Sequence, residues 1–285
     1  MAPRIQAVIF DWAGTTVDFG SLLPLRSLQA AFARFGLDVP LETVRLPMGA
    51  AKDVHIRSVL GDALVSRQWL RRHGRAWHEG DVRAVLDVLE TEVRRAAAAA
   101  CDPVPGLESV LVRLRRRGIR IGSTTGYTRR IMEILMPAAE RKGYAPDCVV
   151  CSDEVRAGRP APWMMFRNAE ILGVSRMSRV VKAGDTPVDM AEGFNAGAWS
   201  VGVVDSSSLL SLGPKEFETL SPREKEARRR AARKKLFEAG AHYVVNTLSE
   251  LPGVIEDIEL RLELAEEAAP RPRLLIGAPL APARS

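Results

Sequence analysis

Hydrophobic positions along the chain fall into two alternating kinds of segment. Short runs rich in β-branched residues predict six strands: Ile5–Phe10, Gly118–Thr125, Asp147–Ser152, Arg179–Gly184, Ala198–Val204 and His242–Asn246. Between most of these runs the apolar positions recur with helical spacing, as in Val104–Arg117 and Tyr127–Lys142. Alternation of strands and helices predicts an α/β fold, a Rossmann-like parallel sheet covered by helices on both faces. In such sheets the ligand crevice lies at the carboxyl ends of the strands.

One interval breaks the alternation. From about Leu22 to Ala100 the pattern is helical throughout and no strand is predicted. An interval of roughly 80 residues is too long for a crossover connection or a loop. We therefore predict an inserted α-helical cap domain over the crevice. The predicted division is core for residues 1–20, cap for 21–101, core for 102–262, and a Pro/Ala-rich, disordered tail for 263–285.

Composition places the chain in an ordinary class. It has 285 residues, of which 46% are hydrophobic and 27% are charged, a composition that is typical of soluble globular proteins. No run approaches 18 consecutive apolar residues, and the N-terminus enters a strand pattern at once, so we predict neither a membrane span nor a secretory signal. Cys148 and Cys151 form a C-x-x-C inside a strand, where positions three apart face opposite ways. We expect buried free thiols and a cytoplasmic location.

The net charge of +6 is concentrated locally, above all in the basic run Arg228–Lys235. Such a run can bind nucleic acid. Here Glu224 and Glu226 lie close by and few aromatic residues are interleaved, which favours a solvated helix face. We therefore predict no nucleic-acid partner.

Residues with reactive or ligand-binding side chains lie at the ends of the predicted strands. They are Asp11 after the first strand, Thr125 and Gly126 at the end of the second, Arg159 beyond the third, and Asp185 and Asp189 after the fourth. A carboxylate can be a nucleophile, hydroxyl and backbone N–H groups can hold phosphoryl oxygens, and a guanidinium can neutralise them. Paired carboxylates recruit a hard cation such as Mg²⁺. Together these residue types predict phosphoryl chemistry at one edge of the sheet.

The order D-x-x-G-T-x-x-D from Asp11, a strand-end Ser/Thr, a basic residue before Pro160 and G-D-x-x-x-D from Gly184 resembles the haloacid dehalogenase superfamily. The resemblance implies a core of that type with a cap, an aspartyl-enzyme intermediate and Mg²⁺. In phosphatases of the superfamily, a second Asp two residues after the nucleophile protonates the leaving oxygen. Here that position is Ala13, so an alkoxide leaving group would lack its general acid.

The predicted cap contains a candidate group that could assist the leaving group in place of the missing acid, in the stretch LPMGAAKDVH that begins at Leu46. Its Pro and Gly predict the beginning of a helix on which Met48, Lys52 and His55 share one face. Near a helix N-terminus and under a cap, the pKa of Lys52 should be lowered. A neutral amine condenses with a carbonyl to form an imine. If that carbonyl is β to phosphorus, the carbon leaves as an enamine and no acid at Ala13 is needed.

The motifs FDWAGTTVD, MGxxK, GSTTGYT, AGRPxPW and GDTxxD together closely resemble the phosphonoacetaldehyde hydrolases. The resemblance implies hydrolysis of the C–P bond of phosphonoacetaldehyde, a small phosphonate, in the degradation of 2-aminoethylphosphonate. It also implies a homodimer. The resemblance implies that Asp11 is the nucleophile, that Lys52 forms the Schiff base and that His55 takes part in proton transfer. The implied Mg²⁺ ligands are Asp11, the Ala13 carbonyl and Asp185, with Asp189 behind them. The predicted substrate contacts are Met48, Thr125, Gly126, Tyr127 and Arg159.

Alternatives stay open at this point. Lys182 is a rival amine beside the metal turn, although strand geometry is expected to point it elsewhere. His55 could simply pack, and Tyr127 could shield the strand end rather than line the pocket. A conventional phosphatase or phosphomutase of the same fold, or a nucleic-acid-binding protein using the basic run, are the alternative functions.

Overall fold

The computed structural model of the protein describes residues 4–268, with the side chains of 98–100 and 265–268 excepted. Six strands form one parallel sheet in the order β3-β2-β1-β4-β5-β6. They are β1 Ala7–Phe10, β2 Arg120–Thr125, β3 Cys148–Cys151, β4 Val180–Gly184, β5 Trp199–Val203 and β6 Tyr243–Val245. Each lies inside its predicted run, so the α/β prediction is confirmed.

The described residues also form twelve helices. They are α1 Leu22–Arg34, α2 Leu41–Arg45, α3 Lys52–Gly61, α4 Ala63–His73, α5 Glu79–Ala100, α6 Leu107–Arg116, α7 Arg129–Glu140, α8 Trp163–Ile171, α9 Pro187–Asn195, α10 Pro214–Thr219, α11 Pro222–Glu238 and α12 Leu251–Ala268. Three single 3₁₀ turns lie at Ser152–Glu154, Met177–Arg179 and Leu248–Glu250. Within the described chain, none of these helices is both long and apolar enough to cross a bilayer.

β1 lies in the middle of the sheet, and its residues, AVIF, are all fully buried. An apolar sequence of this kind is typical of a strand that is covered on both faces. It pairs with β2 on one side and with β4 on the other, so that Phe10 lies opposite both Ser123 and Ala183. The residues that follow β1, β2 and β4 therefore emerge side by side. The strand order also reverses between β1 and β4, which is where ligands bind in open α/β sheets.

Residues 22–100 form five helices, α1 to α5, without a strand among their described residues. Helices α1 and α5 pack along each other through buried side chains such as Leu28, Phe32 and Leu89. The chain enters and leaves this region through two paired segments, since the Asp18 N–H donates to Asp102 O at 3.1 Å and the Val104 N–H to Thr16 O at 2.9 Å. The exact division at residues 21 and 101 stays a prediction.

Other predictions have mixed outcomes. Helix α12 runs to Ala268, so residues 263–268 are helical and the prediction of a disordered tail from 263 is wrong there. The remainder of that tail lies outside the described residues. The three cysteines are free, as expected. The basic run lies on α11, where Arg229 pairs with Asp205 at 2.5 Å and Arg233 with Glu226 at 2.9 Å.

Packing between α1 and α5 should dominate the stability of the helical region. Replacing fully buried Phe32 with Ala removes the whole ring from that contact and leaves a cavity, so we expect the free energy of unfolding to fall by about 3–5 kcal/mol. Urea denaturation followed by circular dichroism measures this loss. Leu46→Ala, at a position 85% exposed, is the control and should change stability by less than about 0.5 kcal/mol. Equal effects of the two changes would contradict the described packing.

Candidate active site

Asp11 continues β1 into the crevice. Its N–H donates to Ala183 O at 2.8 Å, and the tight turn that follows is closed by Thr16 Oγ1, which donates to Asp11 O at 3.1 Å. Gly14 has a φ of +83°, and a Cβ there would lie 2.8 Å from Asp185 Oδ2. Only glycine therefore lets the turn approach Asp185 so closely. Burial raises the pKa of Asp11, while the charge of Arg159 opposes this.

A cluster of buried carboxylates surrounds this turn. Asp11, Asp185 and Asp189 each offer an oxygen within 4.8 Å of the others. Asp185 is held by the Ser208 N–H and hydroxyl, both 2.8 Å from Oδ2, and by Thr15 Oγ1, 3.2 Å from Oδ1. Burial, added to the neighbouring charges of Asp11 and Asp189, raises the pKa of Asp185 well above its ordinary value.

Arg159 crosses the floor of the site, fully buried. Its Nη2 lies 2.6 Å from Asp11 Oδ1, its Nη1 3.0 Å from Asp189 Oδ1, and its Nε 3.0 Å from Glu192 Oε2. Burial alone would lower the pKa of Arg159, but these carboxylates raise it. For Asp189 the balance is reversed, since burial raises its pKa and the charges of Arg159 and Lys182 bring it below the ordinary value.

The charges on the floor do not balance. Four carboxylates are buried here: Asp11, Asp185, Asp189 and Glu192. The buried cations in contact with them are Arg159 and Lys182. If all four carboxylates are ionised, two negative charges remain, or one if Lys52 is counted as protonated. Uncompensated buried charge is costly, and the all-oxygen donor set of Asp11 and Asp185 is the kind that divalent metal ions prefer. The site therefore fits a metal ion of that class.

Lys52 opens helix α3 and is only 4% exposed. Its backbone N–H donates to Gly126 O at 3.0 Å, and its Nζ lies 4.7 Å from the centre of the Tyr127 ring. Within the described chain no ion pair or hydrogen bond engages the Nζ. Burial lowers the pKa of Lys52 to about 8, although the charge of Asp11 acts in the opposite direction. The predicted lowering of this pKa has its cause in burial rather than in the helix dipole.

The neighbours of Lys52 differ in part from expectation. Met48 does not lie on the helix with Lys52 and His55; it lies in the turn between α2 and α3, because Gly49 at φ +87° interrupts the helix. Fully buried His55 has Nε2 2.7 Å from Val44 O, so that Nδ1 is left without a partner among the described residues. Burial, with the charge of Lys52, lowers the pKa of His55 to about 3 and keeps the ring neutral.

The segment before α3 lies directly on the core. A Cβ at Gly126 would be 2.3 Å from Ala50 O, and one at Gly49 would be 2.5 Å from Thr186 Oγ1. Glycine at both positions therefore permits this close approach of the segment to the core. The cavity beneath it is lined by Asp11, Ala13, Ser21, Pro24, Met48, Gly49, Lys52, Thr125, Gly126, Tyr127, Arg159 and Thr186.

Most of the predicted site residues line this one cavity. His55, Asp185 and Asp189 lie behind it, in contact with or close to the lining residues. The expectation that Lys182 points elsewhere is wrong: its Nζ lies under the site, 3.0 Å from Asp189 Oδ1 and 3.1 Å from Glu192 Oε2. These two carboxylates engage Lys182, so it is no free amine.

Three contributors escaped the sequence analysis. Glu192 follows Asp189 by three positions on α9, a spacing that puts both on one face and could have revealed it. Thr124 lies inside a strand-end run of hydroxyls and was passed over for its neighbour Thr125. Ser208 comes from a loop after β5 whose sequence carries no signal for its contact with Asp185.

Comparisons with known proteins identify the family of the chain. Residues 5–197 match the family model of haloacid dehalogenase-like hydrolases. Phosphonoacetaldehyde hydrolase of Nitratidesulfovibrio vulgaris is 44% identical over 266 residues, 93% of this chain and 95% of the relative. The enzyme of that name from Paraburkholderia phytofirmans is 41% identical, over 92% and 98%. The chain belongs to the phosphonoacetaldehyde hydrolase family.

Two further members of the family add detail. A bifunctional phosphonoacetaldehyde hydrolase/aminoethylphosphonate transaminase of Clostridioides difficile is 44% identical over 91% of this chain, which spans 40% of that longer protein. A phosphonoacetaldehyde hydrolase-like protein from Oleispira antarctica, of known crystal structure, superposes with a TM-score of 0.89 at 36% identity, covering 94% of this chain and 97% of the other. The resemblance predicted from the motifs is confirmed.

The environment of Lys52 makes its protonation measurable. With its pKa lowered to about 8, the amine should lose its proton between pH 7 and 9, about two units below an ordinary lysine. NMR titration of the Lys52 ¹³Cε resonance in chelator-treated protein, assigned with Lys52→Arg, gives the midpoint directly. A midpoint near 10.5 would contradict the described burial of this side chain.

Close docking at Gly126 should be needed to keep Lys52 buried. In Gly126→Ala the new methyl collides with Ala50 O, so the segment before α3 must move away and admit water. We expect the pKa of Lys52 to rise toward 10.5 in the same titration. Gly253→Ala, with open space at the Cβ position, is the matched control and should leave the midpoint unchanged.

Proposed function

We propose that this protein hydrolyses the C–P bond of phosphonoacetaldehyde to acetaldehyde and phosphate. The observation that carries the proposal is a buried amine, Lys52, without a described ion-pair partner, in the same cavity as the Asp11 carboxylate. Ala13, where a phosphatase needs a proton donor, has no acidic group. The named activity of the relatives and their coverage of this chain support the same substrate.

The reaction balances as two linked covalent steps. The neutral Lys52 amine adds to the aldehyde, and the adduct takes up one proton and loses water, which gives an imine that is protonated on nitrogen. Asp11 then attacks phosphorus, and the electrons of the C–P bond pass into the imine to form an enamine. Water hydrolyses the aspartyl phosphate to phosphate. Protonation of the enamine carbon and hydrolysis of the imine release acetaldehyde and regenerate both residues.

Roles of the other lining residues follow from their places around the cavity. Arg159, Thr125 and the Gly126 N–H hold the phosphoryl oxygens, and Met48 and Tyr127 line the aldehyde side. Arginine suits this place because a guanidinium, unlike a second amine, does not condense with an aldehyde. His55, whose Nδ1 has no hydrogen-bond partner among the described residues, is proposed to take part in proton transfer near Lys52.

We infer that Mg²⁺ is the metal that the carboxylate cluster binds, with Asp11, the Ala13 carbonyl and Asp185 as ligands and Asp189 behind them. Bound there, it would neutralise the charge that gathers on the phosphoryl group. The negative excess of the buried side chains supports a divalent ion. A homodimer, a cytoplasmic location and a place in phosphonate degradation are further proposals that follow from the family.

Borohydride reduction in the presence of phosphonoacetaldehyde tests the proposal. We expect a two-carbon adduct on Lys52 alone, located by peptide mass spectrometry after C–P cleavage. Lys52→Arg should abolish the adduct and lower turnover by on the order of 10³-fold or more, the scale typical of losing a covalent catalyst. Lys234→Arg, at an exposed lysine, is the control and should retain both.

Two outcomes would overturn this assignment. An adduct on Lys182 would move the reacting amine to the floor of the site. Rapid hydrolysis of phosphate esters, with no adduct on any lysine, would show a conventional phosphatase that supplies its proton from elsewhere than Ala13.

A further inference from the structure

Lys182 is a buried cation for which the proposed reaction has no use. It lies on β4 opposite Ile9, and its stem runs under α9, where a Cβ at Gly193 would lie 2.8 Å from Lys182 Cβ. Glycine there makes room for a fully buried lysine. Its Nζ donates to Thr124 Oγ1 at 2.7 Å, and it lies 3.0 Å from Asp189 Oδ1 and 3.1 Å from Glu192 Oε2.

Glu192 is the second unused charge. One of its oxygens, Oε2, accepts from the Thr124 hydroxyl at 3.0 Å and from Arg159 Nε at 3.0 Å, and it also faces Lys182. The Thr124 hydroxyl in turn accepts from Arg159 Nη2 at 2.7 Å and from Lys182. Thr124, Lys182 and Glu192 therefore form one network behind Arg159, and we call it the floor network.

The floor network leaves Arg159 with little freedom. Its Nε donates to Glu192, its Nη1 forms an ion pair with Asp189 and donates to Gly49 O at 3.4 Å, and its Nη2 donates to the carbonyl and hydroxyl of Thr124. The same Nη2 also forms an ion pair with Asp11, 2.6 Å from Oδ1. A guanidinium is planar and rigid, so anchoring the Nε edge and Nη1 determines where Nη2 points.

We propose that Lys182 and Glu192 are positioning residues that hold Arg159 so that its Nη2 edge presents to Asp11 and to the phosphoryl group. Lys182 keeps Glu192 and Asp189 in place, since two carboxylates sharing only Arg159 would draw it down and away from the site. The proposal rests on the proposed function only in taking the bound group to be phosphoryl. Neither residue touches substrate in this scheme.

A purely electrostatic role and a positioning role of Glu192 predict opposite changes in phosphate affinity for one substitution. Glu192→Gln removes a negative charge from beneath an anion site, so a purely electrostatic effect would tighten the binding of inorganic phosphate. If Glu192 positions Arg159, the same change weakens the anchor and phosphate binds less tightly. We expect the Kd of phosphate, measured by calorimetry with Mg²⁺ present, to rise about fivefold, or about 1 kcal/mol. An unchanged or lower Kd would overturn the proposal.

Lys182→Met and the double variant complete the test. Lys182→Met should also raise the Kd, and the double variant should bind phosphate no better than the weaker single variant, because both residues act through one anchor. A double variant restored to the affinity of the original protein would instead indicate simple charge compensation and sink the proposal. Should Lys182→Met fail to fold, the sign found for the near-isosteric Glu192→Gln decides alone.

Two controls separate the explanations. Arg117→Met breaks a partly buried ion pair with Glu259, and it should leave the Kd of phosphate within twofold because Arg117 lies at the other end of β2. Borohydride trapping on Lys52 should persist in Glu192→Gln, since imine formation does not need Arg159. If trapping fails in the original protein as well, the proposed function fails while the phosphate measurement still decides the role of the floor network.

Discussion

Buried charge is the constraint on which the rest of this structure depends. Four carboxylates meet at the carboxyl edge of β1 and β4, where little water reaches them, and each must find a cation or a donor. Arg159 forms ion pairs with three of them, and Lys182 forms ion pairs with two of them from below. The remaining excess is what makes the edge suited to a divalent ion and to phosphoryl oxygens that must lie between positive groups.

The same scarcity of water gives Lys52 its chemistry. An exposed lysine would be an ammonium ion at neutral pH and a poor nucleophile. Docking of the segment before α3 onto Gly126 removes solvent from the amine, and no described carboxylate comes close enough to hold its proton by an ion pair. The site thus keeps two kinds of lysine within one small volume. Lys182 forms ion pairs with its carboxylate partners, whereas Lys52 has no described ion-pair partner and is the amine that we propose to react.

Much of the site was accessible from sequence, and the reason is local. Asp11 and Asp185 each follow an apolar strand directly and Thr125 ends β2, and parallel strands bring their carboxyl ends to one edge, so the pattern alone predicts their meeting. The motif around Lys52 was recognisable because its spacing survives as a turn and the start of a helix. The expectations for the placement of Met48 and Lys182 were wrong. Gly49 interrupts the helix before Lys52, so Met48 lies in a turn, and Gly193 makes room for Lys182 to be buried under α9.

By itself, the sequence determined the alternation of strands and helices, the helical insert and the residue types at the strand ends, since these depend on short-range periodicity. Only the tertiary structure decided which charges pair on the floor, that Glu192 and Ser208 take part, and that Lys52 is buried against Tyr127. Most of those facts depend on contacts between residues more than 20 positions apart, and even the pairs that Lys182 forms with Asp189 and Glu192 depend on how α9 packs on β4 rather than on any local pattern.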